Sequence, residues 1–157
     1  MNPSKIIVLL IFLLPFFDQE AIAQTIEQKV LTLTEAQLIV KAAEERAKKD
    51  NWNVVISVVD AGGHLICLHR MDGAQIGSVE VSQQKAKTAV YFKRPTKVFQ
   101  DLVAGGNTAI LGLPNVVASE GGLPIIHEGK VIGAIGVSGV TSAQDGIIAN
   151  AALKVFN

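Results

Sequence analysis

The chain is poor in the residues from which many specialised binding surfaces are made. It has one cysteine, one tryptophan and one tyrosine, and aromatics make up 5% of its 157 residues. A single Cys closes no internal disulfide, and so few aromatics argue against a platform that stacks nucleic-acid bases. Neither sign of charge is in excess: Lys+Arg and Asp+Glu are 14 each, so the net charge is zero. Nothing in that balance draws the chain to nucleic acid, and no such partner is expected. Charged residues are only 18% while hydrophobic ones reach 49%, which excludes a disordered or collagen-like chain. Glycine is missing from the whole N-terminal third, since all 14 follow Ala61. That third is therefore built differently from the rest. The length suits one domain.

The first 23 residues read as an address. Lys5 gives a positive start, Ile6 to Phe17 is an apolar run of 12 residues, and Ala21-Ile22-Ala23 is a small-x-small cleavage site. The run is short for a bilayer core of ~30 Å, and Pro15 and Asp18 interrupt or end it. The expectation is a cleaved signal peptide over 1–23 and no stable membrane anchor. A periplasmic or secreted location follows, with a mature domain over 24–157. Cleavage leaves 134 residues starting at Gln24; losing Lys5, Asp18 and Glu20 leaves 13 positive and 12 negative charges. A domain of that size buries enough surface to fold unaided. In an oxidising compartment Cys67 has no partner within the chain, and its apolar neighbours Leu65, Ile66 and Leu68 point to a buried, inert thiol.

The mature chain reads as alternating helices and hairpins. Thr32-Leu33-Thr34-Glu35-Ala36-Gln37 holds two overlapping capping boxes, Thr32 with Glu35 and Thr34 with Gln37. A helix follows to Lys49, with Ala36, Ile39, Ala43 and Ala47 on one stripe. Asn53 to Asp60 is β-branched, Gly62-Gly63 turns the chain, and His64 to Arg70 returns as a second strand. Ser78 to Phe92 is a second helix, stopped by Pro95. Thr96 is placed to cap a third helix running to Ala104. Val116-Val117-Ala118 is a short β-like run. Gly122 to His127 and Lys130 to Ser138 form another hairpin around Glu128-Gly129, and Ser142 is placed to cap a final helix. Hairpins without βαβ crossovers predict an α+β fold, with helices packed on an antiparallel sheet of about five strands.

Few motifs carry chemistry on their own. His64 and His69 are five positions apart on one strand, so alternation sends them to opposite faces. Cys67 and His69 share a face but make two ligands at most. His127 sits beside a turn, where a solvated imidazole is expected. Ser82-Gln83-Gln84-Lys85 matches S-x-x-K, yet the companion elements of the enzymes that use it are absent. Gly133, Gly136 and Gly139 fall in a strand-like run, not at the mouth of a helix. They suit close approach of a helix, another subunit or a ligand, rather than a phosphate loop. Arg70 followed by Met71-Asp72 could grip a carboxylate, with Asp72 holding the guanidinium. Lys85 and Lys87 lie about 200° apart around their helix, so one faces inward; spacing from Ser82 and Ala89 favours Lys85.

Five segments then line up in order: Val58-Val59-Asp60-Ala61-Gly62-Gly63, Arg70-Met71-Asp72-Gly73-Ala74, Lys85-Ala86-Lys87-Thr88-Ala89, Gly121-Gly122-Leu123-Pro124, and the run Gly129 to Gly139. In these the chain resembles the GlcG/HbpS family, which includes the C-terminal domain of PduO-type proteins, over about residues 30–156. The resemblance implies a profilin-like α+β fold and homo-oligomers, often octamers. It implies haem and iron binding among secreted members, with haem degradation in some. It also implies an iron-contacting Thr where this chain has Val116, and an E-x-x-E pattern where it reads Glu80-Val81-Ser82-Gln83. Three readings follow. In the first, an exported oligomer binds haem or another tetrapyrrole, for sequestration or sensing, with Lys85 and Arg70 on its carboxylates and His64, His69 or Cys67 near the iron. In the second, a small-molecule enzyme uses Lys85 or Asp60 as acid–base and Arg70 as a carboxylate clamp. In the third, a small-carboxylate-binding accessory protein does no chemistry.

Overall fold

The computed structural model describes residues 27–156; the expected signal peptide and its cleavage site lie outside them. The elements in chain order are α1 (Leu33–Lys49), β1 (Val55–Asp60), β2 (Leu65–Arg70), α2 (Ser78–Tyr91), α3 (Lys97–Ala104), a 3-10 turn (Thr108–Gly112), β3 (Gly122–His127), β4 (Lys130–Ser138) and α4 (Ser142–Leu153). One antiparallel sheet runs in the order β2-β1-β4-β3. The α+β expectation stands, with four strands instead of about five. The missing strand is Val116-Val117-Ala118. The Val117 N–H donates to Thr88 Oγ1 at 3.0 Å, and that hydroxyl donates to the Asn115 carbonyl at 2.8 Å. A helix side chain satisfies this backbone, so no neighbouring strand is needed.

Local signals fix several boundaries. Of the two overlapping boxes, the one at Thr32 and Glu35 forms: Glu35 N–H donates to Thr32 Oγ1, and Thr32 N–H donates to Glu35 Oε2. The last helix is capped by Thr141 with Gln144, one residue before the expected Ser142. Thr96 precedes α3 but caps nothing; its Oγ1 accepts the Gly122 N–H at 2.9 Å and ties that helix to β3.

The two faces of the sheet are covered differently. Ile56 and Val58 of β1 join Ile135 and Val137 of β4 in the main core, with α1 and α4 above them. Val59 and Ala134 point the other way, into a smaller cluster with Ala86, Ala89 and Val90 of α2. Because β1 is central and covered on both sides, nearly all of it is buried, and its sequence is apolar apart from Ser57 and the final Asp60. On the α2 side Gly136 decides the spacing. A Cβ there would meet the Ser82 carbonyl oxygen, and the Ala86 nitrogen at 2.6 Å. The bare backbone of β4 therefore lets α2 settle directly on the sheet. Of the three occupants allowed by the sequence, Gly136 accommodates a helix of its own chain.

Candidate functional site

Lys85 does face inward, as its helical position requires, but it does not reach a pocket. Its ammonium donates to Asp145 Oδ2 at 2.7 Å and to the Val137 carbonyl at 3.1 Å. The two side chains are 2% and 3% exposed. Burial pushes the Asp145 carboxyl above the usual range, with the Lys85 ammonium and the Val140 and Gly139 N–H groups acting against it. The pair locks α2, β4 and α4 together and leaves no ammonium face for an incoming carboxylate. Asp145 escaped the sequence reading, although a signal was there. It sits on the α4 stripe with Ile148, Ala149 and Ala152, all buried, and an acid on a buried stripe needs a cation. Ser82 is not activated by Lys85 either. Its hydroxyl donates to the Val79 carbonyl and lies 2.7 Å from Ser57 Oγ.

Arg70, by contrast, stands at the surface. It lines an open groove of about 310 Å³ with Glu44 and Lys48 of α1, Asn53, Met71 and Asp72. Among the described residues it forms no ion pair, so Asp72 does not hold it. His69, next in the chain, points to the α1 side of the sheet. Its Nδ1 lies 2.8 Å from Glu44 Oε1, and the ring is about half exposed. A carboxylate only accepts, so this contact places the proton on Nδ1 and leaves Nε2 as a lone pair in the neutral ring. A carboxylate behind Nδ1 is also the arrangement that orients metal-binding imidazoles.

His64 occupies the other end of the hairpin. Its Nδ1 lies 3.3 Å from Asp60 Oδ2, while Asp60 Oδ1 accepts the Gly62 and His64 N–H groups at 2.8 and 2.9 Å. Partial burial works to raise the Asp60 carboxyl, but these hydrogen bonds outweigh it and hold the group below its usual range. Asp60 is therefore an ionised turn anchor. It also lies far from Arg70, which is paired with Val55 at the opposite end of β1. Five residues at ~3.4 Å each separate the two by roughly 17 Å. Lys85, Asp60 and Arg70 are thus not brought together within one chain, and the acid–base constellation expected for the enzyme reading is not assembled.

The remaining candidates are scattered. Cys67 is half-buried, not fully enclosed, and burial followed by the Glu44 charge pushes its thiol up. His127 packs edge-on against Phe156, with ring centroids 6.5 Å apart. Val116 is half-buried in the segment fixed by Thr88. Gln83 donates its amide to the Val79 carbonyl, so Glu80 has no second carboxylate three residues on. Among the described residues no group of three or more His, Cys, Asp or Glu is placed to hold a metal ion, and no helix is long and apolar enough to cross a membrane.

Fold and grooves together define a small α+β domain with open grooves beside one antiparallel sheet, and with two imidazoles, His64 and His69, each set against a carboxylate. The chain belongs to the HbpS-like family: the family model described as haem degrading protein HbpS-like matches residues 31–154. It is similar to the protein GlcG of Escherichia coli K12, with 44% identity over 109 residues, 69% of this chain and 81% of GlcG. Its fold matches the crystal structure of HbpS with a TM-score of 0.78 and 32% identity, over 85% of this chain and 95% of that one. It also matches the crystal structure of a PduOC:heme complex, with a TM-score of 0.77 and 33% identity, over 82% of this chain and 96% of that one.

Proposed function

We propose that this chain is an exported haem- or tetrapyrrole-binding protein that acts as a homo-oligomer. The observation that carries the reading is the likeness to the PduOC:heme complex across 96% of that chain, at 33% identity. The chain's own residues fit the group in part. Haem presents an iron that accepts an imidazole lone pair and two carboxylates that accept cations. Both kinds of partner occur at the α1–β2 groove: Arg70, which has no ion-pair partner among the described residues, lines it with Lys48 and Glu44, Lys48 standing 3.9 Å from Glu44, and His69 is held beside it by the same Glu44. Lys85 drops out of the set, because Asp145 already occupies it. The groove holds about 310 Å³ and is open, at the small end for ligand pockets. A bound macrocycle would therefore lie on an exposed surface, and the proposed homo-oligomer would supply a second copy of the chain to cover it. Export rests on Lys5, the apolar run and Ala21-Ile22-Ala23.

The test is a haemin titration of the mature chain, starting at Gln24, followed at the Soret band. Saturable binding is expected. His69→Ala should move the Soret maximum, since it removes the iron's imidazole, while His64→Ala should not. Arg70→Ala should weaken binding by ~1.5–3 kcal/mol, the range for a hydrogen bond to a charged group, and leave the maximum in place. No saturable binding would overturn the haem reading. The Arg70 groove would then stand as a site for a small carboxylate.

A further inference from the structure

Another groove lies elsewhere and has a different chemistry. About 430 Å³ in volume, it is lined by Gln28, Lys93, Ile126, Gly129, Lys130 and Val131. Two lysines, Lys93 and Lys130, are among its lining residues and no acid is. The grooves at Arg70 and at Asp60 each contain a carboxylate. Among the described residues neither Lys93 nor Lys130 has an ion-pair partner. The walls are aliphatic: Ile126 is half exposed and Val131 partly so.

The backbone that brings the two lysines together is unusual. After α2 ends, Lys93 adopts φ +50°. Its N–H donates to the Val90 carbonyl and the Arg94 N–H to the Ala89 carbonyl. That is a helix-ending motif whose left-handed position is ordinarily a glycine, because a Cβ is disfavoured there. A cation at a helix C-terminus is favoured by the dipole, and this explains why a lysine is tolerated near the end of α2. It does not explain a lysine at the strained position itself. Nor does it explain Lys130, which comes from β4 on the far side of the turn formed by Glu128 and Gly129, both at positive φ. Two like charges lining one groove disfavour each other, and an anion between them relieves that.

We propose that this groove binds a small organic carboxylate with a short aliphatic body. The acid group lies between Lys93 and Lys130, and the tail lies against Ile126 and Val131. The site is independent of the haem groove, since α1 and β2 contribute nothing to it. A position that trades stability for a ligand contact is expected to gain stability when the strain is removed.

The experiment uses the mature chain and hexanoate as probe, read by amide chemical shifts and thermal melting. Saturable shifts are expected at 126–131 and at Lys93. Inorganic phosphate, which has charge but no tail, should bind about ten-fold more weakly. Lys130→Ala and Lys93→Gly should each weaken hexanoate about ten-fold, the loss of one charge-assisted hydrogen bond. Lys41→Ala, which removes an equal charge from the exposed face of α1, should not. Lys93→Gly should also melt about 2–4 °C higher. Equal binding of phosphate, shifts that do not saturate, hexanoate binding unaltered by Lys130→Ala, or a Lys93→Gly protein that melts no higher would each overturn the proposal.

Discussion

Replacing Lys85 with methionine tests the claim that this residue holds the fold and does not hold a ligand. Methionine keeps the length and apolar stem but removes the ammonium. Asp145 is then left with its side chain 3% exposed and no cation. Removing one partner of a buried pair costs about 3–5 kcal/mol, because the survivor is an uncompensated buried charge. At about 2–4 °C per kcal/mol for a chain of this size, that is a fall in Tm of roughly 6–20 °C. Adding Asp145→Asn should recover most of the loss. The amide is neutral and its oxygen can still accept the Val140 N–H, which lies 3.3 Å from Asp145 Oδ1. A double-mutant cycle should therefore give a coupling of about 2–3 kcal/mol. The defect should depend on pH with a definite sign. Burial already raises the Asp145 carboxyl, and without Lys85 nothing cationic opposes it. An acid whose folded pKa lies above its unfolded value loses stability as pH rises through that interval. Lys85→Met should consequently be less damaging at pH 5 than at pH 8. Urea titrations and thermal melts of the wild type, Lys85→Met, Asp145→Asn and the double variant at both pH values give these quantities. A loss below about 1 kcal/mol, as for an exposed pair, or a loss unaltered by Asp145→Asn, would refute the structural role.

Two further outcomes follow from the geometry. Gly136→Ala should destabilise by about 1–3 kcal/mol through overpacking, because the new methyl meets the backbone of α2 and not a side chain that can turn aside; a urea midpoint equal to wild type would show that α2 can lift at no cost. The Lys29 ammonium and the Thr32 hydroxyl and N–H hold the Glu35 carboxyl down to about 2 from 4.5. Its stabilisation is therefore complete above about pH 4.5 and is lost as pH falls through about 2. Glu35→Gln should flatten that acid limb, by about 1 kcal/mol or less for a cap so exposed, and an unchanged limb in urea melts at pH 2–5 would locate the titration elsewhere.

Much of the fold was legible because its causes are local. The capping box at Thr32, the stripe of Ala36, Ile39, Ala43 and Ala47, the Gly62-Gly63 turn and the Glu128-Gly129 turn each act within a few residues. Hydrogen bonds and hydrophobic periodicity over that range need no knowledge of the rest of the chain. The ordered segments from Val58 to Gly139 pointed to the family for the same reason. The inward orientation of Lys85 was legible too, since helical spacing alone sets it. Its partner was not, because Asp145 is 60 residues away and only the packing of α4 on β4 brings the two together. Val116-Val117-Ala118 has strand composition, yet Thr88 from α2 takes its backbone bonds. Gly136 admitted a helix, a subunit or a ligand, and α2 decided it. The candidate ligand groups follow the same division. Sequence named His69 and Arg70 as residue types suited to iron and carboxylate, but Glu44 and Lys48 join them only because α1 lies over the β2 edge. Residue identity sets what a group can do, whereas its neighbours in space set its charge, its exposure and the partners it has left.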